Sequence, residues 1–314
     1  MNEQVTVPDT RWDNWLTPDG MPADRPTHVI AHLSDTHLTS AGVRYNKVLD
    51  STAALDRAIA VLRESVAGGR RLDAVVVSGD LTDSGDPAAY QRLATAVESI
   101  AAGPDRPRPI FVTGNHDIRS EFHRRLLHRS DTDGPILQVH DVNGLRVIVL
   151  DSTIPGAGHG RLTDEHLAAL RTELGRPAEA GTIIALHHAP VPPPSPLLSY
   201  FALESSSRAA LREAIGGTDV RLVLAGHHHI AQSGMLGRVP VAVAGSTAIR
   251  TDPLAAAGHD RTWASGSFNL VEVYADTAIV SVVPVDTAPM VFDLDAADCR
   301  SVIDQFPIDQ FPIE

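Results

Sequence analysis

The sequence predicts an α/β protein with two packed β-sheets, on three observations. Short apolar runs alternate with stretches of helical periodicity as far as about residue 230. Several of those runs stop abruptly at Asp, Asn or His. Beyond Val239 the helices give way to short strands and turns. An alternation of this kind is the mark of strands covered by helices on a sheet face.

Taken in order, residues 1–26 read as an irregular arm broken by Pro18, Gly20, Pro22 and Pro26, with Trp12 and Trp15 to pin it to the body or to a partner chain. His28–Leu33 is a strand. Helical periodicity covers Lys47–Val66, with Leu49, Ala53, Ile59 and Leu62 on one face, until Gly68-Gly69 stops it. Ala74–Val77 ends in three valines and reads as a strand buried on both faces. Asp86 caps a helix that opens on Pro87, where a missing N–H costs nothing. Pro109–Val112 is the third strand. This order implies parallel pairing with right-handed crossovers, and ligands then sit beyond the carboxyl ends of the strands.

Leu145–Leu150, a helix from about Asp164, Thr182–Leu186 and Val220–Leu224 continue the pattern. From Val239 onward, through Phe268–Val273 and Ala278–Val283, a second and mostly antiparallel sheet is expected to pack on the first. The segment Val191–Ser199 has four prolines in nine residues, which argues against a regular helix or central strand there and for a rim over the site. The tail carries a five-residue duplication, Asp304–Ile308 and Asp309–Ile313, apolar enough to dock on the same chain or on a partner subunit. The chain thus divides into an arm (1–26), one catalytic domain (27–295) and a tail (296–314).

The 314 residues, 43 % hydrophobic and 21 % charged, allow a large core. A formal net charge of −13 and 4 % aromatic content give neither a basic groove nor a stacking platform, which speaks against nucleic acid and anionic membrane as partners. It leaves a phosphate substrate open, because bound dications would reverse the local sign. The single cysteine, Cys299, reads as a structural residue and suits a reducing cytoplasm. The first residues lack the pattern of a signal peptide, and no apolar run approaches the ~18 residues of a membrane span.

Five blocks carry the chemistry: Asp35-Thr36-His37, Gly79-Asp80, Gly114-Asn115-His116-Asp117, His187-His188 and Gly226-His227-His228-His229. Asp35 and His37, two apart at a strand end, can face one ion, and so can His227 and His229. The two oxygens of Asp80 can bridge a pair of ions, and Asn115 offers a neutral amide oxygen. Imidazole with carboxylate suits zinc, manganese or iron better than calcium, and the lack of cysteine excludes a structural zinc finger. Such a pair implies attack on a phosphorus ester by water made acidic at the ions. His188 and His228 are expected to point away from the site, and His32 to lie in the core or behind the ligands. No lysine follows the glycine-rich loop 155–160, so a P-loop is excluded.

Together the blocks resemble the calcineurin-like metallophosphoesterase superfamily, whose pattern runs Asp-x-His, Gly-Asp, Gly-Asn-His-Asp/Glu, His and Gly-His-x-His. No ligand position departs from it. The flanking stretches 34–38, 80–83, 150–153 and 185–190 are most similar to bacterial class III cyclic-nucleotide phosphodiesterases, and glycerophosphodiester phosphodiesterases look alike in the same places. The expected architecture is a four-layer α/β/β/α sandwich, two mixed sheets flanked by helices. The resemblance implies that one ion takes Asp35, His37, Asp80 and His229, and the other Asp80, Asn115, His187 and His227, with a bridging hydroxide as nucleophile. It also implies His116 as general acid, Asp117 as the residue orienting it, His159 as a substrate-facing residue, and a homodimer. The expected activity is hydrolysis of a 3′,5′-cyclic nucleotide such as cyclic AMP to the 5′-monophosphate. Glycerophosphodiesters, nucleotide-diphospho compounds and phosphomonoesters are the alternative substrates, and a non-catalytic scaffold of the same fold is the remote one.

Overall fold

The computed structural model describes residues 15–17, 21–103, 106–129, 136–286 and 288–305. In chain order the elements begin with β1 (His28–Leu33), α1 (Ser51–Ala67), β2 (Ala74–Ser78), α2 (Pro87–Glu98), β3 (Arg108–Val112) and α3 (Arg119–Arg125). The hairpin β4 (Leu137–Val142) and β5 (Leu145–Leu150) follows, then α4 (Asp164–Leu174), β6 (Thr182–His188), α5 (Pro196–Tyr200), α6 (Ser205–Ile215) and β7 (Val220–Gly226). The rest is mainly strand: β8 (Gln232–Leu236), β9 (Val239–Val243), β10 (Arg250–Thr251), β11 (Thr262–Trp263), β12 (Ser267–Val273) and β13 (Ala278–Pro284), with α7 (Ala296–Asp304) last.

Two mixed sheets form, in the orders β13-β12-β1-β2-β3 and β4-β5-β6-β7-β9-β8. Alternation along each strand sorts the core into three slabs. In β1, Val29, Ala31 and Leu33 face α1 and α2, where Leu55, Leu62 and Leu93 meet them. Ile30 faces the other way, into the slab between the sheets, with Val76, Val112, Val147, Ile183 and Leu224. The far face of the second sheet packs Ile184, Leu186 and Val223 on α4 and α6 through Leu170 and Leu211. The result is the four-layer sandwich expected, with buried sheets whose strands read as continuous apolar runs.

Three expectations need correction. The second sheet does not begin at Val239. It begins at β4, which pairs antiparallel with β5 through a two-residue hairpin of Asn143 and Gly144, both at positive φ (53° and 89°), before parallel pairing resumes from β5 to β6, β7 and β9. The late strands β12 and β13 return instead to the first sheet, with β12 antiparallel beside β1. The first helix starts at Ser51 and not Lys47: Asn46 and Lys47 are left-handed, and the Asp50 carboxylate accepts the Ala53 amide as N-cap. Within 191–199 a short helix does form, since Pro196 sits in its first turn and Ser195 caps it.

Other boundaries hold. Asp86 caps α2 through the Ala88 and Ala89 amides, and β5 and the start of α4 fall where the pattern put them. In the arm, Leu16 bridges to Pro22 and the Trp15 ring lies 5.8 Å from the Arg300 guanidinium of α7. Trp12 and all of the duplicated tail except Asp304 and Gln305 lie outside the described residues. Cys299 is a free, half-buried thiol on α7. No helix among the described residues is long and apolar enough to cross a membrane.

Candidate metal centre

The carboxyl ends of β1, β2, β3, β6 and β7 meet along one edge of the sandwich, and all five blocks gather there. The mechanism differs from simple strand alternation. Asp35, His37, Asp80, His227 and His229 all have positive φ, between 41° and 71°. Each costs about 1–3 kcal/mol of backbone strain, borne by the surrounding fold. Left-handed turns just past the strands, and not the strand pleat, turn these side chains toward one another.

Two donor groups result. In one, Asp35 Oδ1 is 3.3 Å from His229 Nε2, His229 Nε2 is 3.1 Å from His37 Nε2, and His37 Nε2 is 3.7 Å from Asp80 Oδ2. In the other, His187 Nε2 is 3.1 Å from Asn115 Oδ1, 3.2 Å from His227 Nδ1 and 3.4 Å from Asp80 Oδ1. The Asp80 carboxylate therefore offers one oxygen to each group. Asp35, His37, Asp80 and His187 are each at most 1 % exposed.

Tautomers decide what this cluster can hold. His187 Nδ1 lies 2.8 Å from the Ser78 carbonyl, which only accepts, so that nitrogen carries the hydrogen. His227 Nε2 is likewise committed to the Phe201 carbonyl at 2.9 Å. In the neutral rings, His187 Nε2 and His227 Nδ1 are then bare lone pairs. They converge with the oxygens of Asp80 and Asn115, four acceptors with no hydrogen between them. In the other group, Asp35 Oδ1 is buried without a hydrogen-bond partner. Buried polar atoms are rarely left so, and a cation is the species that satisfies both groups. The donor set of nitrogen, carboxylate and one amide fits a zinc, manganese or iron pair.

The electrostatics agree. Burial disfavours charge on His187, but the Asp80 carboxylate outweighs it and pushes the imidazole up to about 9. For Asp80, burial favours the neutral acid, yet the facing His187 and His37 rings hold it well below the usual carboxylate range.

The residues behind the ligands are neutral and fixed. His188 bonds Ser152 Oγ at 2.9 Å and the Gly158 carbonyl at 3.1 Å, and burial lowers it to about 3. His228 meets Gln232 Oε1 at 2.7 Å. His32 bonds Ser78 Oγ at 2.9 Å beneath the centre, and burial lowers it too to about 3.

His116 Nδ1 lies 3.0 Å from the Asp83 carbonyl and 3.6 Å from its carboxylate, with its ring edge-on to His37. It is raised above its ordinary value, burial being outweighed by Asp80 and the Asp83 carbonyl. The expectation that Asp117 orients His116 meets a different arrangement. The Asp117 carboxylate accepts the Leu81, Thr82 and Gly114 amides and the Tyr90 hydroxyl, stapling two ligand loops together. Asp83 is the carboxylate beside His116. Nothing in the spacing sets Asp83 apart, because Asp80 and Asp83 share one loop and both face His37, Asp80 reaching on to His187 and Asp83 to His116. Tyr45, whose ring lies 4.7 Å from that of His37, was equally silent in the sequence. His159 stands apart from the donor groups. It faces Glu204 at 3.7 Å and lines a groove of about 590 Å³ with Pro192, Pro193, Tyr200 and Arg208.

Two glycines let the blocks approach. A Cβ on Gly114 would land on the Asp80 amide and carboxylate, and one on Gly226 would land on Ser34 Oγ and Asp35. Gly114→Ala is expected to cost about 1–3 kcal/mol in stability and to lower bound metal. A thermal melt with metal content per chain measures both; wild-type values for the two would show that the loops yield freely.

The fold and this centre define a metallophosphoesterase. The chain belongs to the calcineurin-like phosphoesterase family, which it matches over residues 28–231. It is 45 % identical over 262 residues to a Rhodococcus erythropolis protein named a probable cyclic nucleotide phosphodiesterase, covering 83 % of this chain and 84 % of that one. A cAMP/cGMP dual specificity phosphodiesterase of Mycobacterium tuberculosis is 41 % identical, over 83 % and 80 % of the two chains. The glycerophosphodiester phosphodiesterase GpdQ of Enterobacter lignolyticus is 31 % identical, over 64 % and 70 %. Among solved structures, a dimetal phosphatase from Danio rerio shares the fold with a TM-score of 0.58 at 14 % identity, over 83 % of this chain and 97 % of its own.

Proposed function

We propose that the chain hydrolyses 3′,5′-cyclic nucleotides, cyclic AMP among them, to 5′-monophosphates at this centre with two metal ions. The observation that carries the reading is the pair of donor groups sharing Asp80, together with 41–45 % identity to relatives named for this activity. Asp35, His37, Asp80 and His229 would hold one ion, and Asp80, Asn115, His187 and His227 the other. When bound, the ions supply positive charge to the phosphoryl oxygens and acidify water. His116 gives a proton to the leaving 3′-oxygen. Its Nδ1 is anchored on the Asp83 carbonyl, which leaves Nε2 to deliver the proton, and the Asp83 carboxylate supports the charged ring. Asp117 holds the loops that carry Asp80 and Asn115 at their working separation. His159 lies on the groove beside the centre, where it meets the part of the substrate remote from phosphorus.

The metals of this reading are iron, manganese or zinc. A homodimer goes with it, favoured by the exposed Met290, Val291 and Phe292, as does a cytoplasmic location, favoured by the free Cys299. The test is a product assay on Mn²⁺-loaded protein with cyclic AMP, glycerophosphocholine and a phosphomonoester in parallel. Conversion of cyclic AMP to 5′-AMP with the highest kcat/KM is the expected result. Preference for either of the others replaces the substrate and keeps the metal chemistry.

A further inference from the structure

Two loops are rooted on the metal-centre histidines and meet above them. The first, 191–201, is tied to the His227 ring through the Phe201 carbonyl. The second is the hairpin of β10 and β11, whose Thr251 amide donates to the His229 carbonyl at 3.0 Å. They join where Ser195 Oγ donates to Asp260 at 2.8 Å. Within the hairpin, Thr251 is buried and pairs with Thr262, so the adjacent cross-strand pair of Arg250 and Trp263 projects from the opposite face.

Trp263 is 46 % exposed, yet its ring is fixed. Asp252 Oδ2 accepts Trp263 Nε1–H at 3.1 Å and Arg261 Nε–H at 2.8 Å, and the Arg261 guanidinium sits 5.5 Å from the ring centroid. An exposed indole held by two partners that also bind each other loses little freedom when a second ring stacks on it. The flanking arginines Arg250 and Arg261 suit an anionic ligand in a chain that is otherwise acidic.

We infer that Trp263 is the stacking platform for the nucleobase of the cyclic nucleotide, a specificity-determining residue set in place by Asp252. The inference rests on the function proposed above. Trp263→Ala is expected to raise KM for cyclic AMP on the order of 10-fold, with the loss in kcat/KM carried by KM, and Trp263→Phe to restore most of it. Binding is read separately from turnover by tryptophan emission of a Trp12→Phe/Trp15→Phe variant loaded with Zn²⁺. Titration with 5′-AMP should change the emission saturably, and ribose 5-phosphate, which lacks the base, should not. An unchanged KM in Trp263→Ala, or equal responses to the two phosphates, overturns the platform while cyclic AMP hydrolysis stands. A parent enzyme that leaves cyclic AMP intact overturns both.

Discussion

Asp80→Ala is expected to empty both metal positions at once and to abolish hydrolysis. One carboxylate serves both donor groups, with Oδ1 toward His187 and Oδ2 toward His37. Truncating it strips each group of its shared anion and leaves the His187 and His37 rings without the charge that they face. The loss in kcat should exceed the ~10²–10³-fold that follows removal of a single charge-stabilising donor, because charge stabilisation and nucleophile activation fail together. Elemental analysis per chain, beside a turnover assay, checks it. Asp80→Asn keeps the shape and one acceptor oxygen, and is expected to retain partial occupancy of one position only. Full activity in a protein shown to hold no metal would end the dinuclear account.

His116→Ala is expected to lower kcat by about 10²-fold or more with both ions retained. The imidazole stands beside the donors, bound to Asp83 and edge-on to His37, and is a member of neither quartet. Its deletion should therefore separate chemistry from metal binding, the reverse of the Asp80 result. A substrate with a leaving group that departs without a proton, such as a p-nitrophenyl diester, should be far less affected than cyclic AMP. Asp83→Asn should show a smaller loss, since the backbone carbonyl still anchors Nδ1. Equal losses on both substrates would assign His116 to charge stabilisation and not to proton transfer.

Most of the fold was legible because both sheets are buried on both faces, so apolar runs such as 74–77 and 145–150 stand out without alternation. What escaped was where one sheet ends and the next begins. That decision rests on the connection from β3 to β4, which leaves the first sheet before the Asn143-Gly144 hairpin is reached, and on β12, whose antiparallel place beside β1 depends on contacts some 240 residues apart that no local pattern carries. The candidate ligands were visible by residue type and strand-end position. Their mutual aim was not, because five of them, two Asp and three His, are oriented by left-handed backbone, which these residue types tolerate better than most but which no local pattern marks. Asp83 and Asp117 were confused for the same reason: which carboxylate reaches His116 and which reaches the backbone amides is settled by turn geometry over four residues.

Each donor group draws on both sheets. Asp35, His37 and Asp80 come from the first sheet and meet His229 of the second; Asp80 and Asn115 from the first meet His187 and His227 of the second. Elsewhere the two sheets meet mainly through close nonpolar packing. Ions held by these groups would tie the two halves of the sandwich together at that edge, so binding them would stabilise the fold as well as supply the chemistry.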